Sequence, residues 1–355
     1  MNRAQEKSIR VLVVEDSRVI SDFITQVLNA DPELEVVGTA ANGREALEAV
    51  RRTKPHVITM DIHMPQVDGF EATRNIMESC PTPIVIVSGS STRDNVSTNF
   101  HALEAGALAV VARPQGIGHI QHEYSAKQLV DTVKLMSEVK VVRRWLRPKQ
   151  MPEPPGFSTQ KLSVLAQAPV DVVAIGASTG GPLALQTILS ALPKDFPVPV
   201  LVVQHMTPGF TQGFVEWLSR SSGFPVHVAI DGEPLLPGRA YVAPDNLQMG
   251  VSNGHRIVLT GDGRENGMCP AVSFLFRSVK AVFGQQAVGV LLTGMGVDGV
   301  DELKQLKNAG ATTLVQDKES SVVHGMPGQA IQDGAACHIL PPQGIAKALR
   351  IIVSP

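Results

Sequence analysis

From Ile9 to about Trp145, short runs of aliphatic and β-branched residues alternate with longer stretches whose apolar positions recur at helical spacing. The expected strands are Ile9–Val14, Glu35–Gly38, His56–Met60, Ile84–Val87 and Leu108–Val111. Such alternation predicts a parallel sheet covered by helices on both faces, with its ligand site at the carboxyl ends of the strands. Beyond Trp145 the pattern breaks. Pro148, Pro152, Pro154, Pro155 and Gly156 fall in a short tract that reads as a linker between domains.

A second α/β pattern opens at Asp171, with strand Asp171–Gly176, helix Gly181–Leu192, strand Val198–Gln204 and helix Phe210–Ser221. Hairpin-like pieces are expected around Arg239–Ala243 and Arg256–Thr260, then strand Val288–Thr293, helix Val300–Ala309 and strand Thr312–Gln316. The predicted fold class is α/β: two doubly wound, mostly parallel-sheet domains, the second with an antiparallel hairpin insertion. The expected boundaries are 8–130 for the first domain, 131–168 for a helix and proline-rich linker, and 169–352 for the second domain. The helix before the linker carries Lys134, Lys140, Arg143, Arg144 and Arg147 against Glu138, which reads as a solvated basic face in preference to a docking surface.

At 355 residues and 43% hydrophobic composition, the chain is long enough for two domains that each bury a core. Lys and Arg total 31 against 33 Asp and Glu, a formal charge of -2, which gives no global attraction to nucleic acid or anionic lipid. Proteins or small molecules are the expected partners. The apolar run Ala287–Thr293 is strand-sized, far short of the roughly 20 residues of a membrane helix, so no membrane insertion is expected. Met1-Asn2-Arg3 leads into the first strand without a secretory apolar region, and a cytoplasmic location is the expectation. Cys80, Cys269 and Cys337 are widely spaced and odd in number, which fits free, packed thiols better than a disulfide framework or a metal site.

Glu15-Asp16 ends the first strand and Asp61 the third, so a doubly wound sheet brings three carboxylates to one edge. Their repulsion calls for a hard divalent cation, most simply Mg²⁺, which would also bind a phosphate oxygen and leave Asp61 as a phosphoryl acceptor. Singly, each carboxylate is as readily a helix N-cap. The set is more specific. Glu15-Asp16-Ser17, Asp61 with Met64-Pro65 and Asp68-Gly69, Ser88 after the fourth strand and Arg113-Pro114 after the fifth resemble a response-regulator receiver over about residues 8 to 130. The resemblance implies a flavodoxin-like sheet, Glu15, Asp16 and Asp61 as Mg²⁺ ligands, Asp61 as the site of phosphorylation, and Ser88 and Arg113 as phosphoryl contacts. Two positions depart from that pattern. Arg113 stands where receivers usually carry Lys, replacing a compact ammonium by a planar fork, and Val110 stands where many carry the aromatic that reports phosphorylation.

In the second half, Gly176-Ala177-Ser178-Thr179-Gly180 reads G-x-S-x-G between an apolar strand and a helix. Glycines beside the serine permit a sharp turn that exposes its hydroxyl, with the following amides available to a developing oxyanion. A dinucleotide-binding turn is the rival reading. Ser178, however, replaces the glycine that would admit a pyrophosphate, and the next strand closes with Gln204-His205-Met206 in place of a ribose-binding carboxylate. A serine hydroxyl needs a base that is itself oriented by a third group. His205 and Asp298 follow strands expected to end at the same edge as Ser178, while His227, His255, His324, His338 and Asp317 are competitors. The order serine, histidine, aspartate differs from the serine, acid, histidine order of α/β-hydrolases.

The segments Gly176–Gly181, Gln204–Met206 and Leu292–Gly299 resemble the catalytic domain of chemotaxis protein-glutamate methylesterases of the CheB type, over about residues 169 to 352. The resemblance implies a Rossmann-like methylesterase domain with Ser178 as nucleophile, His205 as general base and acid, and Asp298 as orienting carboxylate. The Met295 backbone N–H becomes an oxyanion donor, and Thr179 lines the site. Hydrolysis of glutamyl γ-methyl esters on a methyl-accepting chemoreceptor is implied, as is deamidation of receptor glutamines, with no cofactor for the ester reaction. A chemotaxis-type histidine kinase is the implied phosphodonor, and the unphosphorylated receiver is expected to cover the active site until Asp61 is modified. Two other function classes fit less well. A DNA-binding response regulator would need a helix-turn-helix module with a basic recognition helix, and the second half is too long and too evenly charged for one. A non-catalytic adaptor binding kinase and receptor would have no use for Ser178, His205 and Asp298 together.

Overall fold

The structure is a computed structural model that describes residues 8–89, 93–141, 169–261 and 263–353. The proline-rich linker and Arg143, Arg144 and Arg147 lie outside these residues. The chain divides into two compact units, Met1–Lys149 and Gln150–Pro355.

In the first unit, strands β1 (Ile9–Val14), β2 (Leu34–Ala40), β3 (Val57–Met60), β4 (Ile84–Ser88) and β5 (Ala109–Ala112) form one sheet in the order β2-β1-β3-β4-β5. Every pairing is parallel. Helices α1 (Arg18–Asn29), α2 (Gly43–Thr53), α3 (Gly69–Ser79), α4 (Arg93–Ala105) and α5 (His122–Ser137) connect and follow the strands. Strands β3 and β4 are buried at every position, as helices on both faces of a parallel sheet require.

Local capping decides where the helices begin. The Asn42 side chain accepts the Arg44 and Glu45 N–H groups, and Glu45 reaches back to the Ala41 N–H and the Asn42 amide, a reciprocal cap on α2. Asp68 caps α3 by accepting the Glu71 N–H at 2.8 Å. The next residue must be glycine, because a Cβ on Gly69 would fall 2.2 Å from the Asp61 carbonyl oxygen. That close approach folds the chain after Asp61 back on itself and explains the spacing of Asp61 and Asp68-Gly69. Lys134 of α5 pairs with Asp31 at 2.8 Å and Glu33 at 3.0 Å, so this part of the basic helix is engaged within its own domain.

The second unit is built on a seven-stranded sheet with the order β14-β13-β12-β6-β7-β9-β8. Its strands are β6 (Val172–Ala177), β7 (Val200–Gln204), β8 (Val226–Val228), β9 (Ala240–Val242), β12 (Ala287–Leu291), β13 (Thr312–Gln316) and β14 (His338–Leu340). All pair in parallel. The remaining strands, β10 (Gln248–Val251) and β11 (Ile257–Thr260), form a separate antiparallel pair. The expected hairpin insertion is thus present but shifted: the piece around Arg239–Ala243 joins the main sheet beside β7 and is not an arm of the hairpin. A three-residue strand between two turns carries too little pattern to reveal which partner it takes.

The chain runs from β6 through helix α6 (Gly181–Ser190) to β7 on one side, passes through α7 (Thr211–Ser222), and returns to β12 on the other side of β6. The carboxyl ends of β6 and β12 therefore flank a topological switch point, where open α/β sheets form their crevice. Helix α8 (Val272–Phe283), absent from the expected elements, packs against β10 and against α9 (Val300–Asn308). Its Val272, Leu275, Phe276 and Val279 join Val172, Leu201, Tyr241 and Leu291 in one buried cluster. Helices α10 (Met326–Gln332) and α11 (Pro342–Ile352) complete the domain. Cys80, Cys269 and Cys337 are free, but Cys337 is exposed, which corrects the expectation that all three are packed. No helix among the described residues is long and apolar enough to cross a membrane.

Phe276 is fully buried under the loop that leads to α9. Phe276→Ala is expected to cost about 3–5 kcal/mol through lost transfer energy and a residual cavity. A urea titration of the full chain followed by tryptophan fluorescence, which reports on the buried Trp217, measures it as a lowered midpoint.

Candidate functional site

At the switch point of the second domain, three loops are joined by backbone hydrogen bonds. The Ser178 N–H, just past β6, donates to the Thr293 carbonyl just past β12 at 3.1 Å, and the His205 N–H, just past β7, donates to the Ala177 carbonyl at 2.8 Å. The Ser178 carbonyl accepts the Gly181 N–H at 2.8 Å, closing the turn into α6. Buried Gln204 ties two of the loops together again. Its Nε2 donates to the Ser178 carbonyl at 2.8 Å and to the His205 carbonyl at 2.9 Å.

His205 Nε2 lies 2.9 Å from Asp298 Oδ2. The other ring nitrogen, Nδ1, is buried and has no hydrogen-bond partner among the described residues. The imidazole is thus held from one end by a carboxylate, with its other nitrogen left over.

Asp298 is 6% exposed and stands at the start of α8. Ala271 occupies the N-cap position of that helix and has no side chain with which to cap it. Asp298 does so from a distant loop: Oδ2 accepts the Val272 N–H at 2.7 Å, and Oδ1 accepts the Ser273 N–H at 3.1 Å together with the Ser273 hydroxyl. Burial alone would raise its pKa. The bond and charge of His205, with the donors on Ser273 and Val272, outweigh burial and hold the carboxyl below its ordinary value.

The loop after β12 approaches the serine closely. A Cβ on Gly294 would lie 2.7 Å from Ser178 Cβ, so the Met295 amide that follows sits beside the serine turn. Thr293 Oγ1 lies 2.9 Å from the Thr179 carbonyl and accepts the Val323 N–H at 2.9 Å, while the Thr293 N–H donates to Gln316 Oε1 at 2.8 Å. Thr179 is half-buried at this turn.

The competing bases have other partners or positions. His227 Nε2 is 3.0 Å from Glu233, and its ring meets Tyr241 edge-on. His255 stacks against Phe283 at 4.7 Å. His324 Nδ1 is 3.4 Å from Ser321 Oγ. His338 follows β13 in the sheet at the far edge, and burial lowers its pKa. Asp317 is occupied by the Ser320 N–H and hydroxyl.

In the first domain, one carboxylate oxygen from each of Glu15, Asp16 and Asp61 lies within 4.8 Å of the others. Mg²⁺ takes oxygen ligands, and three carboxylates gathered this closely are a donor set of the kind that ion takes. Electrostatics support the fit. Glu15 is 3% exposed, and its pKa is pushed up to about 7, first by burial and then by the charge of Asp61. Asp61 is also raised, chiefly by burial, against the opposing charge of Arg113. Arg113 Nη2 bonds Glu15 Oε2 at 3.0 Å and lies 3.9 Å from Asp61 Oδ1. Ser88 is buried, and its Oγ accepts a bond from Asn99 Nδ2 at 2.7 Å.

The expected site residues of each domain thus fall at the carboxyl edge of its parallel sheet, with the Ser178 and His205 turns joined through the backbone and His205 joined to Asp298 through side chains. The sequence reading missed Gln204 as a side-chain clamp, the pair Ser273 and Val272 on Asp298, and Asn99 on Ser88. Gln204 adjoins a recognised histidine. Ser273 is 25 residues from Asp298, and the one local hint was a helix start with alanine at the cap.

The CheB methylesterase family model matches residues 173–349, and the response regulator receiver domain model matches residues 11–125. A protein-glutamate methylesterase/protein-glutamine glutaminase of Nitrosospira multiformis is 56% identical over 346 residues, covering 98% of this chain and 97% of that protein. A protein of the same description from Geobacter metallireducens is 54% identical, with 96% of this chain and 98% of that one covered. Among solved structures, the Thermotoga maritima CheB methylesterase catalytic domain is 38% identical with a TM-score of 0.50, over 53% of this chain and all of that chain.

A carboxyl raised by folding favours its protonated form in the native state. The stability that Glu15 contributes is present below its ordinary value of 4.5 and is lost as pH rises through about 7. In EDTA, Glu15→Gln should therefore gain stability relative to the unsubstituted protein between about pH 5 and about pH 7.5, measured as the difference in urea midpoints. A difference that stays flat across that window contradicts the burial of this charge.

Proposed function

The chain belongs to the CheB methylesterase family and carries a response-regulator receiver domain ahead of the catalytic half; from that premise we propose that it hydrolyses glutamyl γ-methyl esters on a methyl-accepting chemoreceptor through Ser178, His205 and Asp298. The carrying observation is the His205–Asp298 bond of 2.9 Å, which leaves Nδ1 buried and unpartnered among the described residues, on a histidine whose N–H is bonded to the Ala177 carbonyl next to Ser178.

Ser178 Oγ attacks the ester carbonyl carbon while His205 Nδ1 takes the hydroxyl proton, and the new imidazolium is stabilised through Nε2 by ionised Asp298. Negative charge gathers on the carbonyl oxygen, where the Met295 N–H beside the serine turn is the donor. As the tetrahedral species collapses, the C–O bond to the methoxy group breaks, and methanol leaves with the proton from Nδ1. Water then attacks the acyl-serine with the same base, releasing the glutamate carboxylate and restoring Ser178. With a glutamine side chain the leaving group is ammonia, so deamidation uses the same groups. Thr179, the next residue of the same turn, is assigned to lining the same site.

Control is assigned to Asp61, whose carboxylate accepts a phosphoryl group from a chemotaxis-type histidine kinase. A Mg²⁺ ion held by Glu15, Asp16 and Asp61 would neutralise charge on the phosphoryl oxygens. Ser88 and Arg113 stand at the same edge to contact them. The unmodified receiver restrains the esterase, and phosphorylation releases it.

Two outcomes follow. Ser178→Ala should fold normally and lose methanol release from methylated receptor by ~10⁴-fold or more, as removal of a triad nucleophile does; turnover within a few-fold of the unsubstituted protein would dismiss the nucleophile. Asp61→Asn should lose stimulation by acetyl phosphate with Mg²⁺, and stimulation that survives would dismiss phosphorylation of that residue as the control.

A further inference from the structure

We propose that Ser273 is a positioning residue of the esterase, fixing Asp298 in the rotamer that aims Oδ2 at His205. The inference rests on the Ser178, His205, Asp298 reading and concerns a residue outside that set.

Ser273 is 1% exposed and touches Asp298 through two donors, its own N–H and its hydroxyl, both on Oδ1. The direction of the hydroxyl is settled by a third bond: the Gly299 N–H donates to Ser273 Oγ at 3.0 Å. With that amide on the oxygen, the single hydroxyl proton is left for the carboxylate. Gly299 is the residue after Asp298. Ser273 thus grips the acidic side chain and the peptide beyond it at once; the Gly299 N–H fixes the hydroxyl, and the carboxylate cannot rotate without breaking both Ser273 bonds to Oδ1.

Rotation matters because the two oxygens have separate tasks. Oδ2 receives His205 Nε2 and the Val272 N–H, whereas among the described residues Oδ1 is held by Ser273 alone. Removing the hydroxyl leaves Oδ1 with one backbone bond and strands the Gly299 N–H in a buried place. A charge-assisted bond of this kind is among the stronger ones in a protein. Its loss should appear in the chemical step, since Ser273 is buried and acts through Asp298.

The test is a double-mutant cycle on the full chain, with acetyl phosphate and Mg²⁺ present throughout. The readout is methanol released from receptor membranes whose glutamates carry radiolabelled methyl esters. Ser273→Ala is expected to lower kcat about 10-fold with KM unchanged. In an Asp298→Asn background the same substitution should have no further effect, because Ser273 acts through that carboxylate. Ser273→Cys, close in size but a weak donor, should lose turnover to a similar extent and serves if the alanine variant folds poorly. Melting midpoints of all variants identify any loss caused by unfolding. Equal losses in both backgrounds, or full turnover in folded Ser273→Ala and Ser273→Cys, would overturn the inference while leaving the triad in place. Full turnover in Asp298→Asn alone would instead remove the triad reading, and this inference with it.

Discussion

A negative charge kept inside a protein must be solvated by the protein, and in the catalytic half that charge is Asp298. Water reaches little of it, so the bonds that replace water also define what it can do. Two of its donors come from the first residues of a helix whose own cap position holds alanine, which makes the carboxylate and the helix mutually dependent. Helix α8 in turn packs into the core through Val272 and Phe276. The orientation of the histidine is therefore anchored, by way of one carboxylate, to the apolar core of the domain. This is a rigid way to hold a base, and it costs conformational freedom that a surface site would retain.

The receiver edge solves the opposite problem. Its carboxylates are also buried or crowded, but the protein supplies them with too few donors, and Glu15 and Asp61 are shifted upward where Asp298 is shifted downward. Both clusters lie at the carboxyl ends of parallel strands, so topology alone does not distinguish them. Donor count does. A carboxylate saturated with N–H and O–H groups is a permanent charge that can steady an imidazolium, whereas an undersolvated group of carboxylates is a site waiting for a positive partner.

Much of this was legible in the chain. The strands of the first domain fall within one or two residues of the expected positions at most ends, because strands buried on both faces write themselves as continuous apolar runs. The serine turn, the histidine and the aspartate were readable for the same reason: each follows such a run. What escaped was non-local. Strand β9 spans three residues, and only its partner β7 makes it part of the parallel sheet. Helix α8 was hidden because its start is capped from a loop that follows it in sequence. Gln204 was visible in its motif, but which carbonyls its amide would reach depended on two turns closing beside it. Side-chain pairs separated by tens of residues leave no periodic trace, and they are what completes the site.

The departure at Arg113 takes its meaning from the same accounting. A guanidinium at this position delivers its charge laterally, through Nη2, to buried Glu15 at 3.0 Å, and only more distantly to Asp61 at 3.9 Å. Its Nε is buried without a partner among the described residues, so the carboxylates it has do not satisfy the whole fork. With all three acids ionised, Glu15, Asp16 and Asp61 against Arg113 leave two negative charges at the edge, the charge that one divalent cation neutralises. A compact ammonium would leave the same total but concentrate its attraction at a single point. The fork spreads it, keeping Glu15 paired while Asp61 stays comparatively free. Arg113 thus preserves the electrostatic sum of the site and redistributes it toward buried Glu15.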